Sequence, residues 1–443
     1  MMIKKFLKYL PIAVFMLMFN VSVSVSAPLE VSITEGQVKP TRIAVSPFFV
    51  NEGSITKQGD VNNIQRIISN DLSSSGLFRS IDTEAFTQSP AAMRYRPLFS
   101  DWRVIKAEIL VVGKITQSTV KKMAIEVSVW DIVAERQILT KKYIVPAKSW
   151  RRLSHIIADD VYSRVTGEQP YFDSRILYVA EDKVGSRRRK RLAIMDSDGA
   201  RVKYITQGKF LVLTPRFSPN GKTLTYLSYR RGVPSVYLHS LRSGKISYLG
   251  QFKGMTYAPR FSPDSKKIIF SFAKNGSSSI WEMQLATRKI TQLTRGDFID
   301  TSPSYSHDGK FITFTSNRSG RASIYTMTSG GQNIKRISSD FNSYTTPVWS
   351  PRGDTIAFTK QAGGKFYIGV MNTDGSGERL LTNSFMDEGP AFSPNGRVIM
   401  FFRNDGISNK VQLMSIDITG YNLRKIKTKT SASDPAWSRL NSK

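Results

Sequence analysis

The groups that could do chemistry are few. The chain of 443 residues holds three histidines, His155, His239 and His307, and no cysteine. Without thiols there is neither a disulfide framework nor a thiolate metal site, although an oxidising compartment is still allowed. No two histidines stand at metal-ligand spacing. His307 takes a turn position that proline holds in most equivalent turns, and His239 ends a strand-like run. His155 lies four residues before Asp159 on a helix-like stretch, which reads as an exposed pair on one helix face. Asp196, Asp198 and Gly199 form an acidic turn that could hold a cation but reads more simply as a hairpin. Asp387 and Glu388 are adjacent, whereas catalytic carboxylates must converge in space. No G-x-S-x-G elbow and no phosphate-binding loop is present. These residues give no reason to expect catalysis, a cofactor or a metal site.

The 64 lysines and arginines outnumber the 34 acidic residues, a net charge of +30. Such a balance suits nucleic acid, anionic lipid or acidic partners. The basic residues are nevertheless dispersed, and the densest cluster, Arg187 to Arg191, reads as a hairpin tip.

The elements that position these groups begin with an export signal at residues 1–26. Lys4 and Lys5 precede an apolar stretch from Tyr9 to Val21, and Ser22, Ser24, Ser26 and Ala27 close it. That stretch is short for a membrane span of about 20 residues, and cleavage is expected after Ser26 or Ala27. Leu29-Glu30-Val31-Ser32-Ile33 then alternates as a strand does. A linker follows to Pro40. Pattern alone favours an edge strand of the next domain. A strand isolated by a linker could instead complete its hydrogen bonds on a partner's sheet.

Residues 41–168 read as an α/β (α+β) domain. A strand lies at 42–48 and a helix capped by Asp60 runs to Leu72, with Gly76 beyond it. Three successive antiparallel strands fall at 108–115, 123–132 and 137–145. A second helix starts at Ser149, with Trp150, Leu153, Ile157, Val161 and Val165 as its buried stripe and Gly167 as its end. The segment 167–174 contains Pro170 and reads as the domain boundary.

Residues 169–443 are all β. A Pro-x-aromatic-Ser phrase begins at Pro215, Pro259, Pro303, Pro347, Pro390 and Pro435, at intervals of 44, 44, 44, 43 and 45 residues. Periods of about 40–45 residues filled with strands indicate propeller blades. The proline suits the first position of an innermost strand, and the aromatic fills the wedge between blades. Three strands at 175–206 lack an inner partner, and the phrase at 435–438 has nothing after it. Joining them gives a six-bladed β-propeller with a one-plus-three closure. The loop entering each inner strand should face the channel mouth. That ring contains Met255, Tyr257, Asp300, Thr301, Tyr344, Thr345, Asp387, Glu388, Ser433 and Asp434.

An export signal, a strand-like mature N-terminus, a small α/β domain and six PD40-type repeats together resemble the TolB family of the periplasmic Tol–Pal system, over essentially the whole chain. The resemblance implies an adaptor in the periplasm, a monomer that supports outer-membrane integrity and invagination during cell division. It implies that Leu29, Glu30, Val31, Ser32, Ile33, Thr34 and Glu35 bind the C-terminal domain of TolA. The propeller mouth would bind the peptidoglycan-associated lipoprotein Pal, and Pal binding would withhold the N-terminal strand from TolA. Bacterial toxins such as colicins exploit the family. The competing readings are an envelope hydrolase or lyase with its site in the channel, and charge-driven binding of nucleic acid, which export disfavours.

Overall fold

The computed structural model describes residues 39–51, 58–93, 95–119, 121–185, 187–250, 256–339, 342–407 and 410–441. Residues 29–35 and the export signal lie outside them. The N-terminal unit is a six-stranded mixed sheet built from β1 (Thr41–Val45), β2 (Phe49–Val50), β3 (Phe78–Ser80), β4 (Ile109–Ser118), β5 (Lys122–Asp131) and β6 (Arg136–Pro146). The order is β3-β1-β4-β5-β6, with β2 on β4. β1 runs parallel to β3 and β4, and the β4-β5-β6 run is antiparallel.

Helices cover both faces, and β1 shows why. Its Ile43 and Val45 point to one face and Ala44 to the other, and all three are buried. On the first face lie α1 (Gln58–Ser74) and α3 (Trp150–Thr166), which contribute Ile64, Ile68 and Leu72, and Leu153, Ile157 and Val161. On the second lies α2 (Phe99–Val104), whose Trp102 packs with Leu110 and Trp130. This third helix has no counterpart in the sequence reading, because six residues are too few to display a period. Asp60 sits inside the first turn of α1 rather than capping it. Its charge still complements the positive end of the helix there. Gly167 follows α3 at φ 73°, a left-handed conformation that only glycine adopts without strain.

The segment after Gly167 is a fastening rather than a loose linker. Tyr171, Phe172, Asp173 and Ser174 are all buried. The carboxylate of Asp159 accepts the backbone N–H groups of Tyr171, Phe172 and Asp173 at 3.1, 2.7 and 2.9 Å. Trp437 donates its indole N–H to Ser174 Oγ at 2.8 Å and meets Tyr171 edge-on at 5.9 Å. The expectation that Asp159 pairs with His155 on an exposed helix face is therefore corrected. His155 is 2% exposed, and its Nδ1 is 2.6 Å from Asp71 of α1. The apolar stripe of α3 packs with the sheet and α1, and its polar side meets Asp71 of α1 and Asp196 and Asp198 at the end of the strand Arg187–Asp196, so the polar stripe is interior.

From Arg175 onward the chain forms a β-propeller. β7 (Arg175–Val184), β8 (Arg187–Asp196) and β9 (Lys203–Tyr204) join the C-terminal strand Ser431–Trp437 in one four-stranded sheet. Three further four-stranded sheets follow, and then one of eight strands. The eight-stranded sheet is continuous only through a single parallel pairing, Phe366 with Met386. The repeated phrases lie on Val212–Phe217, Thr256–Phe261, Thr301–Tyr305, Ser343–Trp349, Met386–Phe392 and Ser431–Trp437. Each of these strands touches the next, and Ser431–Trp437 touches Val212–Phe217.

The prolines are not at the strand starts, as the sequence suggested. Every one lies inside its strand, beside a break in register such as that between Leu213 and Arg216. A β-bulge leaves a backbone nitrogen outside the ladder, so proline loses nothing there. The residue before the proline is left-handed at Thr214 (φ 45°), Ser302 (52°), Thr346 (48°), Gly389 (68°) and Asp434 (53°). The serine of the phrase also has a task that sequence did not reveal. Ser218 Oγ accepts the N–H of Thr223 at 3.0 Å and donates to Asn220 at 2.8 Å, closing the turn to the second strand. Ser262, Ser306 and Ser393 repeat this with Asp264, Asp308 and Asn395.

Candidate functional site

The register of the innermost strands decides which side chains meet at the channel mouth. Tyr257, Thr301, Thr345, Glu388 and Ser433 are each the last paired residue before the bulge, opposite Ser271, Thr315, Thr359, Phe402 and Val179. They occupy one equivalent position on successive strands, as the proline spacing required. Thr301, Thr345, Glu388 and Ser433 are half-buried. Only the backbone of Tyr257 is described, and Met255 lies outside the described residues.

Three of the expected mouth residues sit elsewhere. Asp300, Tyr344 and Asp387 precede those positions by one residue and so point to the other face of the strand. They are 1%, 0% and 0% exposed. Asp387 is gripped by Arg403, Nε to Oδ1 at 2.7 Å and Nη2 to Oδ2 at 2.8 Å. Asp300 takes both its bonds from Arg318 Nη2, at 3.1 and 2.9 Å. Tyr344 donates its hydroxyl to Glu378 at 2.8 Å, and Lys360 binds the same carboxylate at 2.7 Å. These residues brace the mouth from within the blades. The structure also separates Asp387 from Glu388, since neighbouring side chains on a strand diverge, so the adjacent carboxylates are no catalytic pair.

Glu388 and Asp434 are the remaining acidic residues of the expected ring, close enough to interact. Burial, then the charge of Asp434, holds the Glu388 carboxyl above its ordinary value. Asp434 accepts the hydroxyl of Ser433 at 2.9 Å and occupies the left-handed bulge position. Sequence reasoning missed Arg318 and Arg403, which sit on second strands or the loops after them. A signal did exist in the form of an acid at the third residue before the proline, a place that in other repeats carries Val212 or Ala432.

A second cluster lies between the domains. His155, Asp196 and Asp198 bring potential ligand atoms within 4.8 Å of one another. The carboxylates are already engaged. Arg151 bonds both, and Arg201 grips Asp196 through Nε at 2.7 Å and Nη2 at 3.0 Å. Two guanidinium groups thus take the role a cation would have, and the cluster acts as an electrostatic clasp between α3 and β8. Burial alone would push the His155 ring down, but the contact with Asp71, then Asp198 and Asp196, raise it to about 9. A raised basic value means stability that is complete below the unfolded value near 6.5 and lost as pH climbs through about 9. The unfolding free energy measured by urea titration should therefore fall between pH 6.5 and 9, by at most about 3 kcal/mol. His155→Gln should flatten that slope, and an unchanged slope would rule out this origin.

Comparison with known proteins covers most of the chain. The TolB beta propeller domain matches residues 162–441, and the TolB amino-terminal domain matches residues 29–138. The Tol-Pal system protein TolB of Pelagibacter ubique is 57% identical over 438 residues, covering 96% of this chain and 98% of that protein. That of Paramagnetospirillum magneticum is 59% identical over 419 residues, covering 94% and 93%. A crystal structure of TolB from Acinetobacter baumannii superposes with a TM-score of 0.82 at 27% identity, over 91% of this chain and 98% of that one.

Proposed function

The chain belongs to the TolB family, a family of Tol–Pal components rather than enzymes, and on that footing we propose that it is a periplasmic adaptor. In this reading the propeller mouth receives Pal, and residues 29–35 add a strand to the C-terminal domain of TolA. The pairing of the two supports outer-membrane integrity and envelope invagination during division, and colicin-type toxins can borrow the same surfaces. The observation that supports the reading is the equivalent register of Tyr257, Thr301, Thr345, Glu388 and Ser433 on successive innermost strands. Asp300, Tyr344 and Asp387 act in it as positioning residues through Arg318, Glu378 and Arg403. In keeping with an exported protein, no helix among the described residues is long and apolar enough to cross a membrane.

We read the propeller as six blades. The single Phe366–Met386 pairing supports treating the eight-stranded sheet as two blades. The pairing of Ser431–Trp437 with β7 supports a one-plus-three closure. The proposed units are a signal at 1–26, a partner-binding strand and linker at 27–40, an α/β domain at 41–168 and a propeller at 169–443.

The test uses the mature protein lacking residues 27–36. It should lose at least tenfold in affinity for the TolA C-terminal domain and keep its affinity for Pal, while Glu388→Lys in the intact protein should do the reverse. Retention of TolA binding by the deletion, or indifference of Pal binding to Glu388→Lys, would remove the corresponding half of the reading.

A further inference from the structure

The wall of the channel changes character along its axis. Beyond the rim with Glu388 and Asp434, a cavity of about 670 Å³ opens among the repeated aromatics. Three arginines line it: the exposed Arg439, and Arg216 and Arg260, each of which follows the proline on one of two adjacent innermost strands. The equivalent positions elsewhere are Ser304, Val348, Ala391 and Ala436, so the charge is confined to one side. Arg216 Nη1 donates to the carbonyls of Pro215 and Pro435 at 2.7 and 3.5 Å. Arg260 makes no hydrogen bond or ion pair among the described residues, and its Nε is fully buried without a partner.

This arrangement is costly as it stands. A guanidinium does not shed its proton, so it cannot escape burial by becoming neutral. Buried charges are ordinarily paired. Here burial, then the neighbouring Arg216, holds Arg260 well below its usual value. The one acidic influence on Arg216 is Asp434, and it does not form an ion pair with it. The missing component is an anion with several acceptor oxygens, the shape that two guanidinium forks recognise.

We propose that the central channel holds a binding site for a small oxyanion, a phosphate or carboxylate group, held between Arg216 and Arg260. The cavity is large enough for a small organic anion and not only a bare ion. The cavity is lined by the residues after the repeated prolines and the turns that follow them, apart from the proposed Pal-binding rim.

The experiment titrates the full mature chain with inorganic phosphate and, separately, with succinate, against sodium chloride at equal ionic strength. Calorimetry and thermal unfolding are the readouts. At least one of the two oxyanions should bind one per chain and raise the melting temperature above the chloride control, and which of them binds identifies the source of the group. Arg260→Gln should weaken that binding at least tenfold, and Arg260→Lys, which keeps the charge but loses the fork, should weaken it less. The R216Q/R260Q protein should lose it altogether and be more stable than the parent in its absence. Binding of neither oxyanion beyond chloride by the unaltered protein would overturn the proposal. So would equal binding by R216Q/R260Q. Pal affinity, measured in parallel, reports on the rim separately.

Discussion

Arg403→Ala is expected to destabilise the protein by about 3–5 kcal/mol, the cost of leaving one charge of a buried pair alone. The Asp387 carboxylate is 0% exposed and receives both of its strong hydrogen bonds from Arg403. Removing the arginine leaves an acid with neither water nor a donor. The asymmetry of such pairs supplies the control. Replacing both members by apolar residues of similar volume is often neutral or stabilising, so D387L/R403L should recover most of the loss. Urea titration with an unchanged slope is the measurement, since a constant slope shows that stability and not denatured-state compactness has moved. A loss below about 1 kcal/mol, the range of exposed pairs, would mean that water reaches the pair and that Asp387 belongs to the rim after all. If Glu388 belongs to a Pal-binding rim as proposed, Arg403→Ala should also weaken Pal binding, because Glu388 follows Asp387 on the same strand, and D387L/R403L should restore fold more completely than affinity.

The propeller was legible in the sequence because its signal is repeated. Six Pro-x-aromatic-Ser phrases at nearly constant spacing mark equivalent places whatever their detailed geometry. The bulge at those prolines was not legible. Its left-handed position carries Thr214, Ser302, Thr346, Gly389 and Asp434, which share no side-chain type. What makes the conformation tolerable is the register of the neighbouring strand, and a single chain does not display register. The same limit hid the interior of the mouth. Asp300 and Asp387 look like rim residues when counted from the proline, but a one-residue offset on a strand reverses the face. His155 shows the limit at longer range. Its partner Asp71 is 84 residues away, and Asp196 belongs to the other domain. The helix stripe of Leu153, Ile157 and Val161 was correct, yet it described only the side of α3 that faces the sheet. The polar side is covered by α1 and β8, which no helical period can announce.

The joint between the domains sets how far motion in one is felt in the other, and Asp159 is the residue on which it turns. Gly167 and Pro170 marked the segment as the domain boundary. In the fold its backbone is anchored instead, because three consecutive N–H groups converge on one carboxylate that is itself 7% exposed. Burial raises that carboxyl to about 7, and the bonds from Asp173 and Phe172 are what restrain it. Asp159→Ala removes the shared acceptor of all three. Each buried N–H left unmade costs about 1–3 kcal/mol, so a total loss of about 3 kcal/mol or more is expected. Asp159→Asn keeps one carbonyl acceptor and should cost roughly half as much. The diagnostic readout is local. Hydrogen exchange at Tyr171, Phe172 and Asp173 should accelerate by two or more orders of magnitude in Asp159→Ala, while exchange in β4 and β5 changes only with global stability. With Tyr171 and Phe172 released, the domains are joined chiefly by the Arg151–Asp196/Asp198 clasp, and combining Asp159→Ala with Arg151→Ala should make them unfold in two separate transitions. Protected amides at 171–173 in Asp159→Ala would show that the aromatic contacts of Tyr171 and Phe172, not the shared carboxylate, anchor the segment.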